Sequence, residues 1–381
     1  MLFRERGMVG KRGMAYALWN LANVAAQQED IRRAKALTEE SLALFQDLGD
    51  KFGIAQCLLG LGPMIEGDYE QARALTEEGL ALRKEIGDKD GIAITLSVLG
   101  DLAFQQGDYQ NGITLTRESV AGFRELGNKW GISYVLEDLG RMIWAQGDYG
   151  QATEILEEAR SLWQDLGDKF DLASTLNQMG SVARSQGDYE RAARLYEEAL
   201  TLFREMDNKF VIAYALRNLG LTAFEQVDYK QAVKKFEESL IISREADDKF
   251  ETAFALYGMG RVAQSQSDFA TARKLNLEAI VIFREIGNSV DAAHGVAHCL
   301  EAFAFLAATQ EQMKRATCLF STSEKLYAPL RFEMSAKERV EHDQAIVTAR
   351  AALGEEAFMA AWEEGKKMTL DEAITYALSD N

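Results

Sequence analysis

Gly147-Asp148-Tyr149-Gly150-Gln151-Ala152 and Gly187-Asp188-Tyr189-Glu190-Arg191-Ala192 are one six-residue block met twice, forty residues apart. Tyr69, Tyr109, Tyr229 and Phe269 keep the same interval, followed three residues later by Ala72, Gly112, Ala232 and Ala272. A second column runs through Leu99-Gly100, Leu139-Gly140, Met179-Gly180, Leu219-Gly220 and Met259-Gly260, and a third through Gly87-Asp88-Lys89, Gly127-Asn128-Lys129, Gly167-Asp168-Lys169, Asp207-Asn208-Lys209 and Asp247-Asp248-Lys249. A fixed period of this length marks a solenoid, in which each unit buries its apolar face against its neighbours.

Within the unit from Asp90 to Gly127, Ile92, Ala93, Leu96, Leu99 and Ala103 fall at i, i+3 and i+4 spacings, the apolar stripe of a packed helix. Gly107 ends that helix, because glycine accepts the left-handed conformation just past a C-terminus. Asp108 then supplies an N-cap oxygen for a second helix, from about Tyr109 to Leu126. Small residues at Gly100, at Gly140 and in each Tyr-x-x-Ala block let the paired helices approach closely. Where Val227 and Ser267 replace the turn glycine, strain or a different cap is expected.

Leu96, Leu99, Gly100, Ala103, Gly107 and Tyr109, with Ala152, Ala159 and their equivalents, resemble the tetratricopeptide repeat in a form longer than the usual 34 residues. The resemblance implies an all-α, right-handed solenoid of eight helical hairpins, beginning near Gly13, Lys51, Asp90, Lys129, Lys169, Lys209, Lys249 and Ser289. Residues 1–328 are read as the repeat superhelix and 329–381 as C-terminal capping helices. Leu2-Phe3-Arg4-Glu5 matches Leu202-Phe203-Arg204-Glu205, so the first 12 residues are read as the end of a truncated repeat. In the second unit Gly60, Gly62 and Pro63 crowd one helix end, which predicts a short, kinked helix, either a tolerated irregularity or a hinge.

After Pro329 the period stops, and Ser335-x-x-Glu338 and Thr369-x-x-Glu372 read as capping boxes that open two helices, with a third between them near Glu355 to Gly365. Leu353-Gly354-Glu355-Glu356-Ala357-Phe358, Ala361-Trp362-Glu363-Glu364-Gly365, Met368-Thr369-Leu370-Asp371-Glu372-Ala373 and Tyr376-Ala377-Leu378 resemble the C-terminal end of bacterial signal-transduction ATPases with numerous domains, LuxR-type regulators included. That resemblance implies a sensor and autoinhibitory arm downstream of a nucleotide-binding switch domain, a partner this chain does not itself contain.

Composition narrows the chemistry. A formal charge of -18 disfavours direct nucleic-acid or membrane-surface binding, and the absence of a long apolar run or signal-type leader points to a cytoplasmic protein. Cys57, Cys299 and Cys318 are odd in number and unevenly spaced, which suits inert packing rather than disulfides. Gly7-Met8-Val9-Gly10-Lys11-Arg12 lacks phosphate-loop spacing and aligns with the inter-repeat turn at Asp50-Lys51. His294, His298 and Glu301 share a helix face, but no complete metal motif surrounds them, and histidines lining a partner surface are the preferred reading. Glu157-Glu158 and Glu197-Glu198 recur with the repeat as a solvated face. No catalytic set and no cofactor site is expected.

Function is therefore sought on the concave face lined by the first helix of each pair. The positions there that vary between units include Tyr134, Arg141, Trp144, Asn177, Arg184, Tyr214, Arg217, Phe224, Tyr257 and Arg261. Arg141, Arg184, Arg217 and Arg261 form a prospective cationic ladder for a carboxylate, phosphate or acidic peptide, with Asn177 and Asn218 to bond an extended backbone; alternatively the arginines pair with Glu137, Asp138 and neighbouring acids. The carboxylate clamp of chaperone-binding repeats is missing. A protein, peptide or small-molecule sensor module of a bacterial signalling or transcription-regulating protein is expected, the alternative being a free-standing scaffold that joins two proteins.

Overall fold

A computed structural model describes residues 2–28, 30–65, 68–287, 290–330 and 336–379, and every regular element among them is a helix. The chain divides into two compact units, Met1–Asp168 and Lys169–Asn381. The first holds α1 (Leu2–Gln27), α2 (Ile31–Leu48), α3 (Lys51–Leu61), α4 (Tyr69–Ile86), α5 (Lys89–Gln105), α6 (Tyr109–Leu126), α7 (Lys129–Ala145) and α8 (Tyr149–Leu166). The second holds α9 (Lys169–Ser185), α10 (Tyr189–Glu205), α11 (Lys209–Glu225), α12 (Tyr229–Glu245), α13 (Lys249–Ser265), α14 (Phe269–Ile286), α15 (Val290–Thr309) and α16 (Met313–Leu330), followed by α17 (Ala336–Leu353), α18 (Glu355–Lys367) and α19 (Leu370–Leu378). The eight expected hairpins are α1/α2 through α15/α16, and within each pair the two helices pack together.

The hairpin turns follow local chemistry. Gly107, Gly147 and Gly187 take φ of +88°, +80° and +78°, and the aspartates at 68, 148, 188, 228 and 268 accept a hydrogen bond from the backbone N–H three residues on. Asp108 is the exception and makes no such cap. Val227 and Ser267 hold the left-handed conformation without glycine, at φ +61° and +62°, so the strain read from the sequence is present.

Helix α3 is 11 residues long against 17 for α5 and α7, and Gly62–Met64 continues it as a 3-10 turn. Pro63 has no N–H to extend the α-helical ladder, which accounts for the early stop. At the other end of the unit the structure departs from expectation: the Gly7–Lys11 turn does not form, and α1 runs through it unbroken from Leu2 to Gln27. Helix continuity needs no turn residue here, since isolated glycines cost only about 1 kcal/mol each in a helix.

Arg83 is a second surprise. It stands in the column of Phe123, Trp163, Phe203 and Phe283, is buried, and bonds Asp88 (2.7 Å) and Gln56 (2.7 Å). Burial draws its pKa below the ordinary arginine value, with Asp88 opposing. The partner Gly91 is obligatory, because a Cβ there would lie 1.6 Å from the guanidinium.

In the second unit the core is continuous through α13 to α16 and takes in Ala373, Ile374 and Ala377 of α19. Helix α18 lies on α16, where Gly365 sits so close that a Cβ would be 2.2 Å from the Cys318 carbonyl oxygen. Thr369 and Glu372 form the expected capping box of α19, while the Ser335–Glu338 box, Gly67 and Ser289 lie outside the described residues. The three cysteines are buried thiols, and burial pushes each pKa upward. No described helix is long and apolar enough to cross a membrane.

Candidate functional site: the first-helix face and its polar network

The residues singled out from sequence fall into two groups. Tyr134, Arg141 and Trp144 belong to the first unit. There Tyr134 is exposed and stacked on Trp130 (5.4 Å), and Trp144 is half-buried. Arg141 is not an open cation: it bonds Asp101 (2.8 Å) and Asp138 (3.2 Å), as the alternative reading of the ladder had it. Glu137 instead accepts from the Trp163 indole N–H at 2.6 Å.

The other eight lie in the second unit, on α9, α11 and α13. Asn177 and Asn218 are buried and bond one another, Asn218 Nδ2 to Asn177 Oδ1 at 3.3 Å, so their amides serve the packing of adjacent first helices. Arg184 lies against the buried Tyr196 hydroxyl, which also meets Ser181 Oγ at 3.0 Å. Arg217 forms a two-pronged pair with Glu251, Nε to Oε2 at 2.7 Å and Nη2 to Oε1 at 3.2 Å, with side chains 14% and 6% exposed. Its guanidinium is also sandwiched over the rings of Tyr214 (4.8 Å) and Phe254 (5.0 Å). Tyr214 remains exposed, whereas Phe224 and Tyr257 are buried. Arg261 lies 4.5 Å over Phe224 and 6.0 Å from the Tyr257 ring. The arginines of this face are thus largely spent on internal acids and rings, which replaces the picture of a free cationic ladder.

Where the face meets α17, a cavity of about 60 Å³ opens between Phe224, Tyr257, Arg261, Phe305 and Glu341. A wider cleft of about 370 Å³ adjoins it and shares Gln264, Phe305 and Glu341. Two polar residues in the wall of the smaller cavity, Tyr257 and Glu301, lead inward to a buried network that holds His298 and His342.

The network is built at fixed offsets. Tyr257 Oη lies 3.3 Å from His298 Nδ1, and Tyr327 Oη lies 2.9 Å from the same nitrogen while donating to Glu301 Oε2 at 3.2 Å. Since the Tyr327 proton goes to the carboxylate, His298 Nδ1 carries the proton it shares with Tyr327. Glu301 Oε1 is 2.7 Å from His342 Nδ1, and Glu324 Oε1 is 3.1 Å from His342 Nε2. With a carboxylate at each ring nitrogen, His342 donates from both and is an imidazolium. Its burial works against that charge, but the hydrogen bonds it donates to Glu301 and Glu324 override it and hold the pKa at about 9. His294 sits beside His298, ring to ring at 4.5 Å. Because His298 is buried within this network, the expectation that it lines a partner surface does not hold. Two carboxylates on opposite nitrogens of one ring make an ion cluster rather than a metal shell, and among the described residues no three potential ligands converge on a metal position. Tyr327, Glu324 and His342 were missed from sequence because α16 and α17 follow different spacings from the earlier helices.

The tetratricopeptide repeat family matches residues 132–205 and 211–285. No curated protein is similar to the chain to a significant degree. Among solved structures, a Rap protein complexed with Competence and Sporulation Factor is similar in fold at TM-score 0.55 and 12% identity, covering 92% of this chain and 99% of that one. A signal transduction ATPase with numerous domains and a tetratricopeptide repeat sensor, from Pyrococcus horikoshii, gives 0.53 and 13%, covering 87% of this chain and 54% of that one, so this chain spans about half its length. BtubC from P. vanneervenii gives 0.52 and 20% over 59% of this chain and 94% of that one. At these identities the likeness is one of fold, and it agrees with the columns and turns above: the chain carries tetratricopeptide repeats over residues 132–205 and 211–285 in an all-α repeat solenoid.

Proposed function

We propose that the chain is a non-catalytic sensor module of a bacterial cytoplasmic signalling or transcription-regulating protein, which takes a protein or peptide ligand on the first-helix face of its second unit. The observation that carries the reading is the cavity bounded by Phe224, Tyr257, Arg261, Phe305 and Glu341, because its wall is shared between a repeat helix and α17. A ligand side chain entering there presses on Tyr257 and Glu301, whose remaining bonds hold His298, Tyr327 and His342. Occupancy then biases how α17 sits, a population shift that needs only a difference in ligand affinity between the two arrangements. The output partner is a nucleotide-binding switch domain; the ATPase of similar fold carries a tetratricopeptide repeat sensor. The Rap protein supports the same reading, having been solved in complex with a factor.

Peptides selected on the immobilised chain, then titrated by calorimetry against wild type and Arg261→Glu, test the site. A loss of about tenfold or more is expected from the charge reversal; unchanged affinity for every selected peptide sinks the assignment. Sequencing the gene upstream of Met1 tests the partner: an in-frame phosphate-loop domain supports the sensor, and its absence favours a free-standing scaffold.

A further inference from the structure

In the first unit the outer face of α1 is apolar and open. Met14, Ala17, Leu21 and Val24 follow one another at helical spacing and are all exposed, Met14, Leu21 and Val24 to 50%, 50% and 48%. The same columns, counted from Lys11 and its equivalents Lys51, Lys89, Lys129, Lys209 and Lys249, are buried in later hairpins. Cys57 and Val135 answer to Ala17, Leu99 and Leu219 to Leu21, and Leu102 and Met142 to Val24, none of them more than 7% exposed. The second helix of the preceding hairpin does the burying. Cys57 Sγ donates to Ser41 Oγ of α2 at 3.5 Å, Met142 Sδ accepts from Thr116 Oγ1 of α6 at 3.5 Å, and Thr252, in the column of Met14, meets Ser243 of α12 at 2.9 Å. A further column records the shape of the covering helix. Gly53 and Gly131 lie under the rings of Phe45 and Phe123, where a Cβ would come within 2.3 and 2.5 Å of a ring carbon. Gly13 occupies the same column, yet a Cβ built on it meets nothing within 4 Å.

Charge tells the same story beside this face. From one second helix to the next, Arg124 pairs with Glu158 at 2.6 Å and Arg244 with Glu278 at 2.6 Å. Glu40 of α2 stands in that glutamate column, is exposed, and has no such arginine among the described residues. We infer that the outer face of α1 docks an amphipathic helix of a partner polypeptide, patterned like the chain's own second helices. In Ser119-x-x-x-Phe123-Arg124 that pattern is a small residue, a phenylalanine four positions on and an arginine next to it. On α1 the small residue faces Ala17, the phenylalanine covers Gly13 and the arginine reaches Glu40. Burial of Met14, Leu21 and Val24 drives the association, the ring over Gly13 sets the register, and the ion pair favours a basic helix over an acidic one. A second folded copy has no such helix to give, because Phe45, Phe123, Phe203 and Phe283 are already buried in its own hairpins.

This surface belongs to the first unit and the ligand cavity to the second, so either reading can fail without the other. The test is calorimetry on the full chain with a peptide of its own residues 109–126, held helical by a hydrocarbon bridge between positions 110 and 114, which are exposed on α6. The peptide should bind one to one in the micromolar range, and at least about tenfold more weakly when it carries Phe123→Ala or when the chain carries Gly13→Ala or Leu21→Glu. Gly13→Ala is the sharpest variant. The free chain has room for the added methyl group and alanine suits a helix better than glycine, so its melting temperature should not fall while docking is lost. Glu40→Arg should also weaken the peptide, and Arg124→Glu in the peptide should restore it. Sedimentation of the chain alone covers the rival occupant. No binding at about 0.1 mM peptide, equal binding by folded Gly13→Ala, or a dimer of the chain alone that Leu21→Glu dissolves would each overturn the assignment, the last by giving the face to a second copy.

Discussion

Replacing His342 with glutamine should remove a pH-dependent part of the stability of the second unit. In the native fold the imidazole is buried, faces Glu301 from α15 and Glu324 from α16, and meets the Phe320 ring at 5.3 Å. Holding its pKa near 9 instead of the ordinary value of about 6.5 corresponds to about 3 kcal/mol of stabilisation. The folded value is the higher one, so the folded state binds the proton more tightly. The contribution is therefore complete below about pH 6.5, falls to about 2 kcal/mol near pH 7.5, and is lost as the pH rises through about 9. Urea denaturation of wild type and His342→Gln between about pH 6 and pH 10 measures it, because titration of cysteines, tyrosines and lysines is common to both proteins and cancels in the difference. Glutamine keeps one donor for Glu301 but carries no charge, so the gap between the proteins should be largest at the acid end and close toward pH 10. With only three histidines in the chain, their ring-proton NMR resonances can be followed singly, and one absent from the variant should titrate near pH 9. A gap that does not change with pH, or three resonances that all titrate below about pH 8, would refute the imidazolium clamp.

Three further outcomes follow from close contacts and strained turns. Arg217→Ala strands Glu251, which is 6% exposed, and should cost about 3 kcal/mol in urea denaturation, most of it restored by adding Glu251→Gln; an equal loss in the double variant would show that packing over Tyr214 and Phe254 dominates instead. Val227→Gly should stabilise by about 1 kcal/mol, since a β-branched residue at φ +61° exchanges a left-handed strain for glycine's freedom; a lower melting temperature would contradict that balance. Gly365→Ala should loosen α18 from α16 at a cost of about 1–3 kcal/mol, read as early proteolysis beyond Leu353 and altered Trp362 fluorescence; native-like resistance would mean that the helices separate without loss.

The hairpins were legible because their signals are local. Glycine or its absence at 107, 147, 187, 227 and 267 fixes the turn, and aspartate one residue on fixes the following helix start, so both can be read within one repeat. The site was legible only as a helix face. Whether Asn177, Asn218, Phe224 and Tyr257 reach solvent depends on the next first helix, forty-odd residues away, and the adjacent helix buries all four. The pairing of Arg141 with Asp101 had a signal that column alignment could have caught, since the two occupy the same column of successive repeats. The pairing of Arg217 with Glu251 spans 34 residues and joins different columns, so no single column displays it. Arg83 was hidden for the opposite reason: its column predicts an aromatic, and only the half-buried Asp88 and Gln56 beside it make a guanidinium tolerable there.

Those spacings also separate scaffold from specificity. The exposed ion pairs Arg124–Glu158, Arg204–Glu238 and Arg244–Glu278 repeat at 34 residues, and Lys129–Asp165, Lys169–Glu205, Lys209–Glu245 and Lys249–Glu285 at 36. Each is a surface pair worth little by itself, and each returns unit after unit, so they describe the stacking rule. Three side-chain bonds that span 41 residues are different, because each joins a different pair of residue types: Asn177 with Asn218, Tyr257 with His298, Glu301 with His342. The last of these reaches past the repeats into α17. At that contact α17 takes the partner role that the next first helix plays for α9 and α13, although its sequence has left the forty-residue beat. The tail is therefore joined to the row of first helices by a buried charged contact in addition to the apolar packing of α17 and α19 against the core. A charged contact of that kind holds only while the proton and both carboxylates are in place.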